Sequence, residues 1–189
     1  MTAEIVRGPV VVYVADTGTA EPEISTDPPA AWAKLGASLS DDGLVTAFTD
    51  EEEETTTLDS PMVKDLHITR VAVEYSVSLV DLTVETYARI QNGVAVTPQA
   101  AGSGTGGYRE MVLGYGFDVK FYGVLVVGPS SYDEDLASHL YFPKARVKLN
   151  EGPTFAKSGD AMIGAMIKPV YDASIGGYGR YRVQDAVAL

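Results

Sequence analysis

Five consecutive acids, Asp50-Glu51-Glu52-Glu53-Glu54, are the densest candidate chemistry in this chain. Carboxylates in a row can hold Ca²⁺, repel a polyanion or meet a basic partner. Between Lys34 and Lys64 the sequence carries eight Asp or Glu residues and no Lys or Arg. A calcium loop spaces its ligands as D-x-[DN]-x-[DN]-G so that the backbone bends round the ion, and this run lacks that spacing. Like-charge runs are commonly solvated loops. Here Leu44-Val45-Thr46-Ala47-Phe48-Thr49 leads in and Thr55-Thr56-Thr57 leads out. These residue types favour extended chain, which places the acids on or beside a strand.

The remaining motifs carry less. Gly102-Ser103-Gly104-Thr105-Gly106-Gly107 satisfies GxGxxG. That fingerprint works only where a strand feeds the turn and a helix leaves it, and Thr97-Pro98-Gln99-Ala100-Ala101 precedes it in mid-chain with no βαβ unit around. His67 and His139 are the only histidines and share no ligand spacing. Neither a GxSxG elbow nor a GxxxxGK[ST] loop is present, and nothing marks a catalytic carboxylate pair. Without cysteine there is no disulfide, thiolate metal site or thiol nucleophile. The expectation is a protein with no catalytic residues, cofactor or metal, and therefore not an enzyme. The net charge of −12 argues against binding nucleic acid by neutralising phosphates, but lets the protein surround it without adhering. No stretch of 18 apolar residues predicts a membrane helix, and the start lacks the basic and apolar regions of a signal peptide.

The elements that must position these residues are mostly strands. A chain of 189 residues, 46% hydrophobic and rich in Gly, Val, Thr and Tyr, suits one mainly β domain with many turns. Val10 to Val14 reads as a strand, followed by an irregular arm over 16–31 and by Trp32, the only Trp, as core anchor. After the acid run comes a turn around 58–63, then an alternating strand from His67 to Val80. Thr69, Val71, Val73, Tyr75, Val77 and Leu79 share one face of it; Ile68, Arg70, Ala72, Glu74, Ser76 and Ser78 share the other. A short helix is expected next, capped by Asp81 or Thr83, facing inward through Leu82, Tyr87 and Ile90, and stopped at Asn92-Gly93. Residues 94–107 read as a Gly-rich loop, 108–113 resume order, 117–127 are a strand, and 130–136 a polar loop or turn. In the strand from Tyr141 to Leu149, Ala145, Val147 and Leu149 oppose Lys144, Arg146 and Lys148. The chain closes with an apolar segment over 161–170 and a Gly/Tyr-rich hairpin over 175–183.

Trp32-x-x-Leu35-Gly36, Gly43 with the acidic strand, the alternating strand running into a helix, and Phe142-Pro143-Lys144-Ala145-Arg146-Val147 together resemble the major tail tube proteins of long-tailed (siphovirus-like) bacteriophages and related phage-like particles. The likeness is one of pattern over residues 30–185. It implies a two-sheet β-sandwich or barrel with one flanking helix, forming hexameric rings that stack into a tube conducting double-stranded DNA. If each subunit gives about four strands, about 24 strands at about 4.8 Å make a backbone barrel about 37 Å across, wide enough for a duplex of roughly 20 Å. An acidic lumen repels phosphate, and Glu52, Glu54 and Glu74, at the polar phase of candidate strands, are the lumen candidates. Alternatively, Asp50, Glu51 and Glu53 stack against Lys144, Arg146 or Lys148 of the next ring. The arm at 16–31 and the loop at 94–107 lie outside the family's minimal core, as intersubunit arms, decorations or plain surface loops. The partners implied are further copies of the chain, a tape measure and tail terminator or distal tail proteins; the place is the virion tail, after the host cytoplasm. Competing readings are a ring subunit of a related secretion tube, a tail terminator or connector, and a Ca²⁺-binding β-sandwich module.

Overall fold

The structure, a computed structural model, describes residues 9–38, 43–57, 60–80, 83–114, 118–154 and 162–186; the side chains of Asp50, of residues 52–70 and of Thr154 lie outside that description. The chain is mainly β, with 55% of residues in strands and, among the described residues, a single helix. In order, the elements are β1 (Val11–Asp16), β2 (Ala33–Ser38), β3 (Leu44–Thr57), β4 (Ser60–Val80), α1 (Val84–Ile90), β5 (Val96–Gln99), β6 (Tyr108–Met111), β7 (Tyr122–Pro129), β8 (Ala137–Thr154), β9 (Met162–Pro169) and β10 (Arg180–Val183).

Six of these strands close a barrel. β1 pairs with β2 and β7, β2 with β4, β4 with β9, β9 with β8 and β8 with β7, every pairing antiparallel. Of the expected sandwich or barrel, the barrel is what forms. Closure buries one phase of each alternating strand, because successive side chains point to opposite faces. Val12 and Val14 on β1, Val77 and Leu79 on β4, Val124 and Val126 on β7, Phe142, Ala145 and Val147 on β8, and Ile163, Ala165 and Ile167 on β9 fill the interior. The period-2 reading of β4 holds from Val73 onward, with Val73, Val77 and Leu79 buried and Glu74, Ser76 and Ser78 only half-buried; Val71, expected on the same face, is 39% exposed where β4 has left the barrel.

The helix is local chemistry. Thr83 is extended (φ −103°, ψ 161°), and its hydroxyl accepts from the Thr86 N–H at 3.1 Å, satisfying one of the donors a helix start leaves open. Ile90 joins the barrel core, while Leu82 lies outside the described residues. Asn92 (φ 64°) and Gly93 (φ 70°) turn left-handed and end the helix as expected. Replacing Thr83 with Ala removes the cap and should cost about 1 kcal/mol, read as a lower denaturant midpoint at unchanged slope.

Several boundaries differ from expectation. Residues 94–107 are not all loop: Val96–Gln99 pairs with Tyr108–Met111 in a separate two-stranded sheet. The strand expected from 117 starts at Tyr122 and runs to Pro129. The strand expected from His67 begins earlier, at Ser60, and Thr57 already pairs with Ser60. The C-terminal hairpin is instead a small turn bridged Asp172↔Gly177, followed by β10, which pairs with β8.

A second apolar cluster lies on the outside of the barrel, formed by Ala15, Trp32, Leu125 and Tyr141 with Tyr13 and Val127 beside them. Trp32 is 4% exposed and meets Tyr141 edge-on at 6.0 Å between centroids. Its ring passes over Gly123, where a Cβ would sit 3.4 Å from the indole. The expected core anchor therefore closes the outer cluster and not the barrel interior.

Candidate assembly interface

The acid run is strand, and its position is unusual. β3 pairs with β4 along its whole length, from Leu44↔Val77 to Thr57↔Ser60, with a bulge between Glu51 and Glu52. β4 touches β9 only from Tyr75 to Leu79 and β2 only at Leu79 and Val80. The part of the β3–β4 pair from Thr57/Ser60 back to about Phe48/Val73 therefore runs beyond the barrel strands as a two-stranded ribbon. A ribbon with no third strand gains little from burial on its own. Phe48, at the barrel end of the ribbon, is 69% exposed, and Val45, on β3 beside the barrel, 60%.

β3, β4, β9 and β8 form one continuous antiparallel sheet. Besides the β9 side of β4 over the ribbon, it has two edges without a strand partner among the described residues. One is the outer edge of β3, which pairs with β4 alone. The other is on β8. β7 covers β8 only as far as Ala145, whereas β9, on the opposite edge, continues to Thr154. Unpaired edges are templates for another strand. The two differ in charge. β3 carries Asp50 to Glu54, and β8 carries Arg146 and Lys148 where β7 has ended.

The register settles which charged groups meet. Arg146↔Lys168 and Lys148↔Met166 align β8 with β9, and Ser76↔Met166 aligns β9 with β4. Lys144, Arg146, Lys148, Lys168 and Glu74 thus share the sheet face turned away from the barrel core. Glu74 is ion-paired with Lys168 within the chain. Lys148 is held below the usual lysine range, first by partial desolvation and then by the neighbouring Lys168 and Arg146, with Glu74 opposing. An added carboxylate there would relieve that crowding. Lys144 lies over the Phe121 ring at 4.7 Å.

Of the expected lumen acids, Glu74 stands among these cations, so the face is mixed in sign where its side chains are described. The side chains of Glu52 and Glu54, and of Asp50 and Glu53 among the stacking candidates, lie outside the described residues; their backbones pair with Ile68, Leu66, Val71 and His67 respectively. Glu51 is exposed. Lys168 went unnoticed in the sequence, though it falls at the polar phase of Met162-Ile163-Gly164-Ala165-Met166-Ile167-Lys168. Gly102 to Gly107 forms the tip of the β5–β6 hairpin, with Gly102 and Thr105 bridged, and feeds a strand and no helix, which removes the nucleotide-loop context. His139 is 1% exposed, and burial, then Arg182, holds it below the usual histidine range. No group of three or more potential metal ligands occurs among the described residues, nor any helix long and apolar enough to cross a membrane.

No protein-family model matches this chain, and none of the curated proteins searched matches it.

Proposed function

We propose that this chain is a structural ring subunit that stacks into a tube of the phage-tail kind, through which double-stranded DNA passes. The observation that carries the reading is the β3-β4-β9-β8 sheet, whose acidic outer edge on β3 and basic stretch of β8 after Ala145 have no strand partner among the described residues. An antiparallel sheet of four strands runs in opposite directions at its two edges. The acidic edge of one copy then lies antiparallel to the basic edge of the next, and the alternation continues round a closed ring with no odd strand. Closure removes the edges that otherwise invite uncontrolled pairing. The role asks for no catalytic group. Each copy carries a net charge of −12, so a wall of such copies is acidic in total, although the described part of this sheet face holds four cations against Glu74.

Negative-stain electron microscopy across a concentration series tests this reading. Hollow rings or tubes with a channel of roughly 20 Å or more are expected, since that is the width of a duplex set against the strand-count estimate. A chain that stays monomeric at every attainable concentration and salt would count against it. Rings that never stack would move the assignment to a terminator or connector.

A further inference from the structure

We propose that residues 17–31 are a latched strap whose closure over the outer apolar cluster is governed by protonation of Glu21. The strap leaves β1 at Asp16, passes Tyr141 of β8 and Arg182 of β10, and returns at Trp32 beside the outer cluster. Its backbone is held from below: the Tyr141 hydroxyl donates to the Thr19 carbonyl at 3.0 Å, and the Trp32 indole N–H donates to the Ala20 carbonyl at 3.2 Å. Glu21 follows directly. Its side chain is only 6% exposed, and its carboxylate lies 3.2 Å from Arg182 and 3.9 Å from Arg180, both on β10. Neither carboxylate oxygen has a hydrogen bond among the described residues, although both are buried. A carboxylate so placed loses its water and receives charge attraction alone in return.

The groups around it set the sign. Arg180 and Arg182 on β10 favour the ionised form, whereas Glu23 on the strap disfavours it; Tyr141 and His139 on β8 and Asp172 in the turn after β9 complete the surroundings. Burial is the largest influence and holds Glu21 above the usual carboxylate range. The closed strap therefore binds a proton more tightly than the open one. Closure is favoured below the ordinary carboxylate pKa and weakens as pH rises through the elevated one. For each unit between the closed and open values, ionisation makes opening about tenfold easier. His139, buried and depressed, acts with the opposite sign, because acidification must charge it.

Trp32 reports this opening without a label, being the only Trp in the chain and part of the covered cluster. The full-length chain should show acrylamide quenching of Trp32 that rises as pH climbs above the ordinary carboxylate range while far-UV circular dichroism stays constant. Glu21→Gln, a neutral isostere, should remain weakly quenched throughout, keeping only the smaller opposite trend from His139. Arg182→Gln, which removes the nearer cation, should shift the profile to higher pH, a displacement that a purely structural role would not produce. Quenching in the wild-type chain that is flat or falls with pH, or a Glu21→Gln profile that follows the wild type, would overturn the proposal.

Discussion

Reversing Arg146 and Lys148 together to Glu should leave the subunit folded and raise the concentration needed for ring formation about 100-fold. Opposite charges facing each other across strands contribute up to about 1 kcal/mol per pair, and like charges cost a similar amount, so two reversals swing each interface by about 2–3 kcal/mol. The fold should tolerate the change because both side chains sit on the solvent face of β8, only half-buried. Lys148 is moreover crowded by Lys168, which a carboxylate at 148 would attract. Glu51→Lys with Glu53→Lys tests the other edge and should block assembly equally. An equimolar mixture of the two double variants should recover, because reversed edges then meet in alternation, and an even-membered ring closes that way without mismatch. Sedimentation also separates the two placements of the acid run. Lost edge pairing leaves monomers, whereas lost ring-to-ring contact leaves isolated rings.

What the sequence disclosed follows from how local each signal is. β4 and β8 were legible because one buried face imposes strict alternation, visible in Val73, Tyr75, Val77 and Leu79 and in Ala145, Val147 and Leu149. Thr83 and Asn92-Gly93 were legible because caps depend on a few adjacent residues. The barrel was not. Its closure rests on β4–β9 and β8–β9, pairings across long stretches of chain that alternation alone does not specify. β5 escaped notice because Val96-Thr97-Pro98-Gln99 contains a proline and exposes most of its side chains, so no buried face imprints a period.

The candidate site was half legible for the same reason. The acid run and the Lys144/Arg146/Lys148 phase are patterns within single segments. That β7 leaves β8 after Ala145, uncovering an edge beside Arg146, is a fact of topology. Glu21 was hidden more deeply. An acid in a Pro-rich arm reads as solvated, and its partners Arg180 and Arg182 belong to a Gly/Tyr-rich segment at the far end of the chain. Only the packing of Trp32 and Tyr141 draws that arm down onto the sheet.

Phe142→Ala should lower the unfolding free energy by about 3–5 kcal/mol, with the denaturant midpoint falling and the slope unchanged. Phe142 is 1% exposed, and its ring lies 4.9 Å from that of Tyr75 and against the backbone of Gly179, where an added Cβ would come within 2.5 Å of it. Backbone on one side and a closed barrel on the other cannot collapse into the vacated space, which places the cost high in the usual range. Domains of this size commonly have about 5–15 kcal/mol in total, so the variant should be marginal at physiological temperature. The neighbouring residue supplies the contrast. Tyr141 points to the opposite face of β8, into the strap cluster, and Tyr141→Phe deletes only its hydrogen bond to the Thr19 carbonyl, about 1 kcal/mol. Phe142→Ala should therefore lower global stability while native-state Trp32 emission stays unchanged, and Tyr141→Phe should alter Trp32 quenching at little global cost. Equal costs for the two changes would mean that the barrel interior is not the dominant core, and that the strap cluster holds this fold together as much as the closed sheet does.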